Sequence, residues 1–392
     1  MTAPTAHARA RAVMREDERV TALELFFDLV FVLALTQCTT LMSREASWLG
    51  LVKGLALLAL LWWCWGGYAW LTSVVNPEEG VVRLVMFLAM AGLLVAALCI
   101  PGAFGSEAVL FVAAYATVRV AHLALFTLAS RDDALLRRSV TGLAASSALG
   151  IALLGAAAFS GGAVRASLWA LALLLDIGGP FLFGAEGWKL VPGHFADRHG
   201  AIIIIALGES IVAIGVGAHG LVDSGVVVAA ILGMAIAAAL WWTYFDVVAL
   251  VATRRLVQLP AGRERNELAR DSYSYMHYLM IAGIALIAVG VKQTLEDVGG
   301  TLGPVIATAL LGGAALYLLG HVGFRLRNVH TLNRQRLVAA VLLLAVIPAA
   351  SRAPGLAGVA GLAAVLSVLV AYEATRFAEA RDRVRHQPAT DE

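Results

Sequence analysis

Two carboxylates one helical turn apart lie in the first strongly apolar segment of this chain. Residues 24–37 read Glu-Leu-Phe-Phe-Asp-Leu-Val-Phe-Val-Leu-Ala-Leu-Thr-Gln, which places Glu24 and Asp28 on one face of a helix. An ionisable group inside a membrane helix is costly unless it faces water or a partner, so it marks an ion path, a proton relay or a binding site. We therefore take both residues as candidates for binding a proton or a cation.

A second group of polar side chains lies in a later apolar segment. Tyr115, Arg119 and His122 share one helical face, because they are spaced four and three residues apart. An arginine at mid-membrane requires a counter-ion. The acidic residues predicted to lie at a suitable depth are Asp28, Asp176 and Glu209.

The candidates for a proton, cation or solute site are ionisable or hydroxyl-bearing side chains within apolar segments. They are Glu24, Asp28, Arg119, His122, Asp176, Glu209, Asp246, Tyr273 and His277. Structural alternatives remain open for three of them. Glu24 fits a capping box with Thr21, Asp28 also suits a structural ion pair with Arg119, and Glu209 suits a similar pair.

No spacing typical of a metal site or of a catalytic nucleophile is present. His194 and His199 are five residues apart, which fits neither HExxH nor a helical pair at i and i+4. We interpret His194, Arg198 and His199 as a motif at the entry to a helix. Ser210 has no G-x-S-x-G context, and no phosphate-binding loop is found, which argues against ATP-driven export. We predict no cofactor and no metal.

The composition is typical of a membrane protein. Of the 392 residues 60% are hydrophobic and 14% are charged, and the mean hydropathy is +0.82, whereas soluble domains are about half apolar and a quarter charged. The net charge of +2 gives no reason to expect a nucleic-acid partner. The expected partners are the lipid bilayer and an unknown small solute or ion, and a homo-oligomer remains open.

Segments of about 20 mostly apolar residues predict spanning helices. Twelve such segments are found, at 20–42, 50–73, 82–101, 106–129, 138–159, 164–185, 199–218, 224–250, 270–292, 301–322, 337–350 and 355–376. The eleventh is short and ends near Pro348, so ten or eleven spans are the alternatives. The predicted fold is an all-α, polytopic helix bundle in the membrane.

The basic residues predict that both termini are cytoplasmic. With the N-terminus inside, 23 of the 29 Lys and Arg residues fall on the inner side and 5 on the outer side, with Arg119 inside a span. At about 1.5 Å per residue, the strongly polar residues all fall in the cytoplasmic half or at the midplane. Any cavity is therefore predicted to open inward. Gly178-Gly179-Pro180 further predicts a break in the sixth span, of the kind found at midplane sites.

The two halves of the chain resemble each other, which predicts a parallel repeat of six plus six helices. Leu61-Trp62-Trp63 matches Leu240-Trp241-Trp242 at an offset of 179, and Arg19 matches Arg198 at the same offset. The predicted units are 20–195 and 196–376, with cytoplasmic tails at 1–19 and 377–392. The tryptophans are interpreted as interface and packing residues. They are Trp62, Trp63, Trp65, Trp241 and Trp242.

Four segments resemble the bacterial low temperature requirement protein A family. They are Glu24-Leu-Phe-Phe-Asp28, His194-Phe-Ala-Asp-Arg198-His199-Gly with Gly208-Glu209-Ser210, Trp241-Trp242-Thr-Tyr-Phe-Asp246, and Tyr273-Ser-Tyr-Met-His277. The family more often has Glu where Asp197 stands. The resemblance implies a bacterial multi-span membrane protein, expected in the plasma membrane, and it implies no particular activity.

Two functions are carried forward. The first is a secondary transporter or ion-conducting protein linked to protons or cations, because buried carboxylates and histidines form proton relays in such proteins. The alternative is a membrane-embedded enzyme with a cytoplasm-facing pocket, in which a carboxylate and a histidine act as acid and base on a lipid-like substrate. A blind pocket favours the enzyme, and a second polar path between the repeats favours the transporter.

Overall fold

A computed structural model of the chain describes residues 19–78, 80–182, 186–217 and 223–386. These residues form α-helices with no β-strand among them. The helices are α1 (Ala22–Arg44), α2 (Trp48–Thr72), α3 (Gly80–Cys99), α4 (Ala108–Ala129), α5 (Ala134–Ala158), α6 (Gly162–Leu182), α7 (Pro192–Gly217), α8 (Ser224–Phe245), α9 (Val248–Gln258), α10 (Arg263–Leu268), α11 (His277–Glu296), α12 (Gly303–Ala307), α13 (Gly313–Val329), α14 (Arg334–Ala350), α15 (Gly355–Arg376) and α16 (Ala378–His386). The wider π-helical segments Ala269–Met276 and Thr308–Gly312 join α10 to α11 and α12 to α13.

Eleven continuous helical stretches in the described part of the chain are long and apolar enough to cross a membrane. The pairs α8 with α9, α10 with α11, and α12 with α13 each count as one stretch. The predicted all-α membrane bundle is therefore confirmed. The short predicted span at 337–350 corresponds to α14, which is not among these eleven stretches. Helix α14 contains Pro348 and has 17 residues, so it rises only about 26 Å.

The break predicted at residues 178–180 is wrong, because α6 continues through Pro180 to Leu182. A proline in the last turn of a helix removes only its own hydrogen bond. No further helical turn follows that it could break. The carbonyl oxygens at a helix end also need partners from outside the helix. The hydroxyl of Tyr275 also donates to the carbonyl oxygen of Ile177, in the turn before this helix end.

The centre of the bundle is α11, which packs against α1, α7 and α13. Its contact with α13 is unusually close, because a Cβ atom added at Gly283 would lie 2.6 Å from the carbonyl oxygen of Gly313. Glycines permit such backbone approaches between membrane helices, where dispersion contacts and hydrogen bonds provide the attraction. The core therefore places α1 and α7 side by side on a rigid support.

Candidate functional site

Helices α1 and α7 run side by side in the same direction, and their polar side chains meet in register. Three of the contacting pairs are each separated by 170 positions in the chain. A constant separation is what two parallel helices produce, since both rise about 1.5 Å per residue. We call this contact the α1–α7 seam. Its polar pairs are Glu24 with His194, Asp28 with Arg198, and Thr39 with Glu209.

Two acids and two bases form a buried charge cluster at the beginning of the seam. Arg198 lies between the carboxylates, 3.1 Å from Glu24 Oε1 and 2.6 Å from Asp28 Oδ1. His194 Nε2 is 2.9 Å from Glu24 Oε1, and the indole N–H of Trp65 donates to Asp28 Oδ1 at 2.8 Å. All four ionisable side chains are fully buried. Each carboxylate therefore has a cationic partner and further hydrogen bonds.

Glu24 also caps its own helix. Its Oε2 accepts the backbone N–H of Thr21 at 2.8 Å, and Thr21 Oγ1 accepts the backbone N–H of Glu24 at 3.3 Å. The capping box that we considered as an alternative is thus confirmed. One carboxylate performs both roles, because Oε2 serves the cap while Oε1 faces His194 and Arg198.

Glu209 lies farther along the seam, about 16 Å beyond the charge cluster. Its carboxylate contacts two hydroxyls of α1, those of Thr36 and Thr39, the second at 3.0 Å. Glu209 is 3% exposed. No Lys, Arg or His of the described residues lies within ion-pair distance of it, and Lys292 pairs at 3.9 Å with Glu296. Glu209 is therefore a buried acid whose direct contacts are hydroxyl groups, while the ammonium of Lys292 acts on it electrostatically from beyond ion-pair distance.

The two threonines can exchange their roles as donors and acceptors. Thr36 Oγ1 also lies 3.0 Å from the carbonyl oxygen of Val32, and Thr39 Oγ1 lies 2.9 Å from the carbonyl oxygen of Thr36. A hydroxyl has one proton to donate and two lone pairs. These hydroxyls can donate to a carboxylate, or donate to the helix and accept from a protonated Glu209. The hydrogen bonds between Glu209 and the two threonines can therefore persist in both protonation states of the carboxyl group.

A row of buried rings leads away from the charge cluster. Trp65 lies 5.0 Å from His199, and His199 lies 5.2 Å from His277, measured between ring centroids. His277 Nε2 is 2.8 Å from the hydroxyl of Tyr244, whose ring is 5.9 Å from that of His321. The row therefore connects α2, α7, α11, α8 and α13.

The row ends at a second buried ion pair. His321 Nδ1 is 2.9 Å from a guanidinium nitrogen of Arg336, which pairs with Glu373 at 2.8 Å. Tyr273 lies beside the row, stacked on His277 with 5.2 Å between ring centroids. Sequence reasoning missed Arg336 and Glu373, which join α14 to α15, because both lie near predicted cytoplasmic ends where charge is ordinary.

Arg119 takes Asp176 as its counter-ion, one of the three acids considered. The guanidinium lies 3.2 Å from Asp176 Oδ1 and also contacts the hydroxyl of Ser147. The hydroxyl of Tyr115 donates to the other carboxylate oxygen. This group is buried and joins α4, α5 and α6. Arg119 thus has no contact with Asp28, and the alternative of a structural pair between those two is wrong.

Asp246 lies at the junction of α8 and α9, apart from the seam. It accepts hydrogen bonds from Arg381, one at 2.7 Å, and from Arg385, both on α16. Trp242 lies under the guanidinium of Arg381, 5.4 Å from ring centroid to Cζ, whereas Trp241 is 45% exposed. These residues attach α16 to the end of α8.

The structure divides the predicted site residues into separate groups rather than one chamber. The charge cluster and the ring row are continuous, whereas Arg119 and Asp176, Glu209, and Asp246 each have their own partners.

The basic residues of the charge cluster could have been recognised in the sequence by their spacing. His194 and Arg198 stand at i and i+4, the spacing of the two acids that they contact. No feature of the sequence marked Thr36 and Thr39 as partners of Glu209, since hydroxyl side chains are common in membrane helices.

Comparisons with known proteins identify the family. The sequence model of the bacterial low temperature requirement A protein, LtrA, matches residues 19–371. The chain belongs to the LtrA family. It is also 30% identical over 314 residues to an uncharacterized protein of Rhizobium meliloti (strain 1021), covering 76% of this chain and 75% of the relative. No solved structure matches the chain.

The LtrA match confirms the resemblance stated on the four sequence segments. It contains the α1–α7 seam, the ring row and the pair of Arg119 with Asp176. Glu373 and α16 lie beyond the matched range. The protein is therefore a bacterial membrane protein of the LtrA family. Neither the name of the family nor that of the relative states an activity.

Proposed function

We propose that this LtrA protein is a secondary transporter or ion-conducting protein linked to protons or cations, and that Glu209 binds the coupling ion. The observation that carries this proposal is the environment of Glu209. An ionised carboxylate in a buried site without a directly paired cation is strongly disfavoured, and Lys292 acts on Glu209 only from beyond ion-pair distance. The site therefore requires a proton or a bound cation, and oxygen ligands suit both.

The charge cluster has a different part in this proposal. Its acids already share Arg198 as a counter-ion, and Glu24 also contacts His194, so the cluster has direct partners that Glu209 lacks. Phe31 and Leu35 are buried between it and the level of Glu209. We propose that the cluster closes the inner end of the seam and that separating Arg198 from Asp28 opens it. Movement of the two halves about the seam would then expose Glu209.

The two-fold repeat remains part of the proposal. The first and seventh predicted spans, α1 and α7, contact each other in parallel, as equivalent helices of parallel repeats near an axis would. Each half also has an arginine–carboxylate pair between two of its helices: Arg119 on α4 with Asp176 on α6, and Arg336 on α14 with Glu373 on α15. The register of 170 along the seam differs from the offset of 179 used in matching the sequences. We propose the plasma membrane as the location, with both termini cytoplasmic.

The enzyme is the weaker candidate. A cavity lined by His122 is present, but no Asp or Glu is among the described residues that line it. The acid–base pair required by the enzyme hypothesis is therefore missing from its wall. Binding of a mobile ion accounts for the environment of Glu209. Acid–base catalysis at His122 would leave that environment unexplained.

Replacing Glu209 with glutamine should abolish ion movement in proteoliposomes. The amide keeps the size of the side chain and can still accept from Thr36 and Thr39, but it cannot gain or release a proton. We expect wild-type protein to dissipate an imposed gradient of H⁺, Na⁺ or K⁺, with the membrane potential clamped, and Glu209→Gln to reduce the rate at least about tenfold. The rate is measured with ion-sensitive dyes trapped in the liposomes.

The matched control is Ser210→Ala, the next residue of α7, whose hydroxyl has no hydrogen-bond partner in the described structure. It should conduct at the wild-type rate. Equal rates in wild-type protein and empty liposomes for all three ions would contradict the proposal. So would equal rates in wild type and Glu209→Gln.

A further inference from the structure

A cavity of about 90 Å³ lies among α2, α4, α5 and α6. Its walls are largely aromatic, which gives them flat apolar surfaces. The aromatic residues are Trp62, Trp63, Trp70, Phe126 and Trp188. The partly exposed part of its lining includes Leu143, Pro180 and Arg270, so its mouth lies near the start of α5 and the end of α6. Pockets for small molecules are typically apolar with a few polar groups.

The backbone of α2 leaves the space open. Gly66 is buried, and a Cβ atom added to it would have no other atom within 4 Å. A Cβ atom added to Gly67 would instead lie 2.9 Å from the ring of His122. A glycine in a helix costs stability relative to alanine. The two glycines therefore maintain the cavity and make room for His122 beside it.

Two buried polar groups at the inner wall have hydrogen-bonding capacity that the described residues do not use. His122 is 2% exposed, and the backbone of Gly67 is the protein group in reach of its ring, so at least one ring nitrogen has no partner among the described residues. The Nε atom of Arg119 is also without one. Buried polar groups usually have partners. A polar atom of a ligand in the cavity would provide one.

The charge of the lining favours an anion. Arg119 and Arg270 line the cavity, and no acidic residue is among the described lining residues. Arg119 is neutralised by Asp176, but Arg270 shares its partner: Asp271 lies 2.7 Å from Arg270 and 2.9 Å from Arg327. Two guanidinium groups thus share one carboxylate near the mouth. A cationic ligand, which an aromatic box alone would suit, is disfavoured here.

We propose that this cavity binds an organic anion with a flat or narrow apolar body. The body lies between the tryptophans and the anionic group lies near Arg270 at the mouth. A polar substituent on the body, in ligands that carry one, contacts His122. A fatty acid from the membrane and a free aromatic acid share this chemistry. Binding of this anion does not depend on the transport function proposed above. Only the further step of calling the anion a transported solute would rest on that function.

Quenching of tryptophan fluorescence by brominated acids tests the proposal, because four tryptophans line the cavity. The probes are dibromostearate and bromohydroxybenzoate, each compared with its neutral amide, and the protein is the full chain in detergent. We expect at least one acid to quench in a saturable way, with the amide at least about tenfold weaker. Saturable quenching by dibromostearate alone identifies a membrane-derived ligand, and by bromohydroxybenzoate alone a soluble one.

Gly66→Leu fills the cavity and should weaken acid binding at least about tenfold, with thermal stability equal to or above that of wild type. The matched control is Gly155→Leu on α5, where a Cβ atom also meets nothing within 4 Å but which does not line the cavity. It should bind as wild type does. No saturable quenching by either acid, equal binding in Gly66→Leu, or equal binding of acid and amide would overturn the proposal.

The same titrations on Glu209→Gln separate this proposal from the proposed function. The cavity is built from other residues, so acid binding should persist in that variant. Binding without any ion flux in wild-type protein would retain the cavity site and reject transport. Ion flux in wild-type protein without acid binding would reject the cavity site and retain the transport function.

Discussion

Replacing Arg198 with leucine should lower the free energy of unfolding by about 3–5 kcal/mol. The guanidinium lies between two fully buried carboxylates, 3.1 Å from Glu24 and 2.6 Å from Asp28. Leucine would leave these like charges with His194 as their remaining ionisable partner. Thermal unfolding can be followed with a thiol-reactive dye, because the three cysteines, Cys38, Cys64 and Cys99, are all buried.

The control for Arg198→Leu is Arg255→Leu, which removes a partly exposed arginine whose nearest acid, Glu264, is 3.9 Å away. Exposed pairs of this kind contribute about 0–1 kcal/mol. Adding Glu24→Gln and Asp28→Asn to Arg198→Leu should recover part of the loss, because the unpaired charges are removed. An unfolding temperature for Arg198→Leu equal to that of Arg255→Leu would show that the charge cluster does not stabilise the seam.

Asp176→Asn should have a comparable effect, about 3–5 kcal/mol, in the first half of the bundle. The amide preserves the size of the side chain and can accept from Tyr115, but it leaves the guanidinium of Arg119 buried without a counter-ion. The measurement is again thermal unfolding. The control is Asp132→Asn, at an exposed position beside α5, which should unfold at the wild-type temperature.

A double variant separates charge from shape at this pair. Arg119→Met with Asp176→Asn removes both charges, and replacing a whole buried ion pair by neutral groups is often close to neutral in stability. We therefore expect the double variant to be more stable than Asp176→Asn alone, a coupling that contacting residues show. A double variant that is less stable than either single variant would contradict the assignment of this pair.

The sequence predicted the membrane bundle because apolar length is a local property. It also placed Glu24, Asp28, Arg119 and Glu209 inside membrane-spanning segments, because each lies within an apolar helix. Their partners could not be predicted in the same way. Whether Arg119 meets Asp28 or Asp176 depends on how helices are rotated and shifted against each other, and all three acids considered had a suitable depth.

Two other differences have local causes. The glycines and proline at residues 178–180 predicted a broken helix, but the proline falls in the last turn of α6, where few internal hydrogen bonds remain to be lost. The π-helical segment Ala269–Met276 was not expected from the sequence. Its Ser274 carbonyl oxygen accepts the indole N–H of Trp62 at 2.7 Å, so Trp62 is one of the packing tryptophans.

The proposed mechanism requires that Glu209 exchange its proton or cation while the protein stays folded. Infrared difference spectroscopy of the protein in lipid, between acidic conditions and alkaline or cation-rich conditions, measures this directly. We predict a carbonyl band of a protonated carboxylic acid that is lost in the second condition and is absent from Glu209→Gln, but present in Ser210→Ala. Identical difference spectra for wild type and Glu209→Gln would contradict the account.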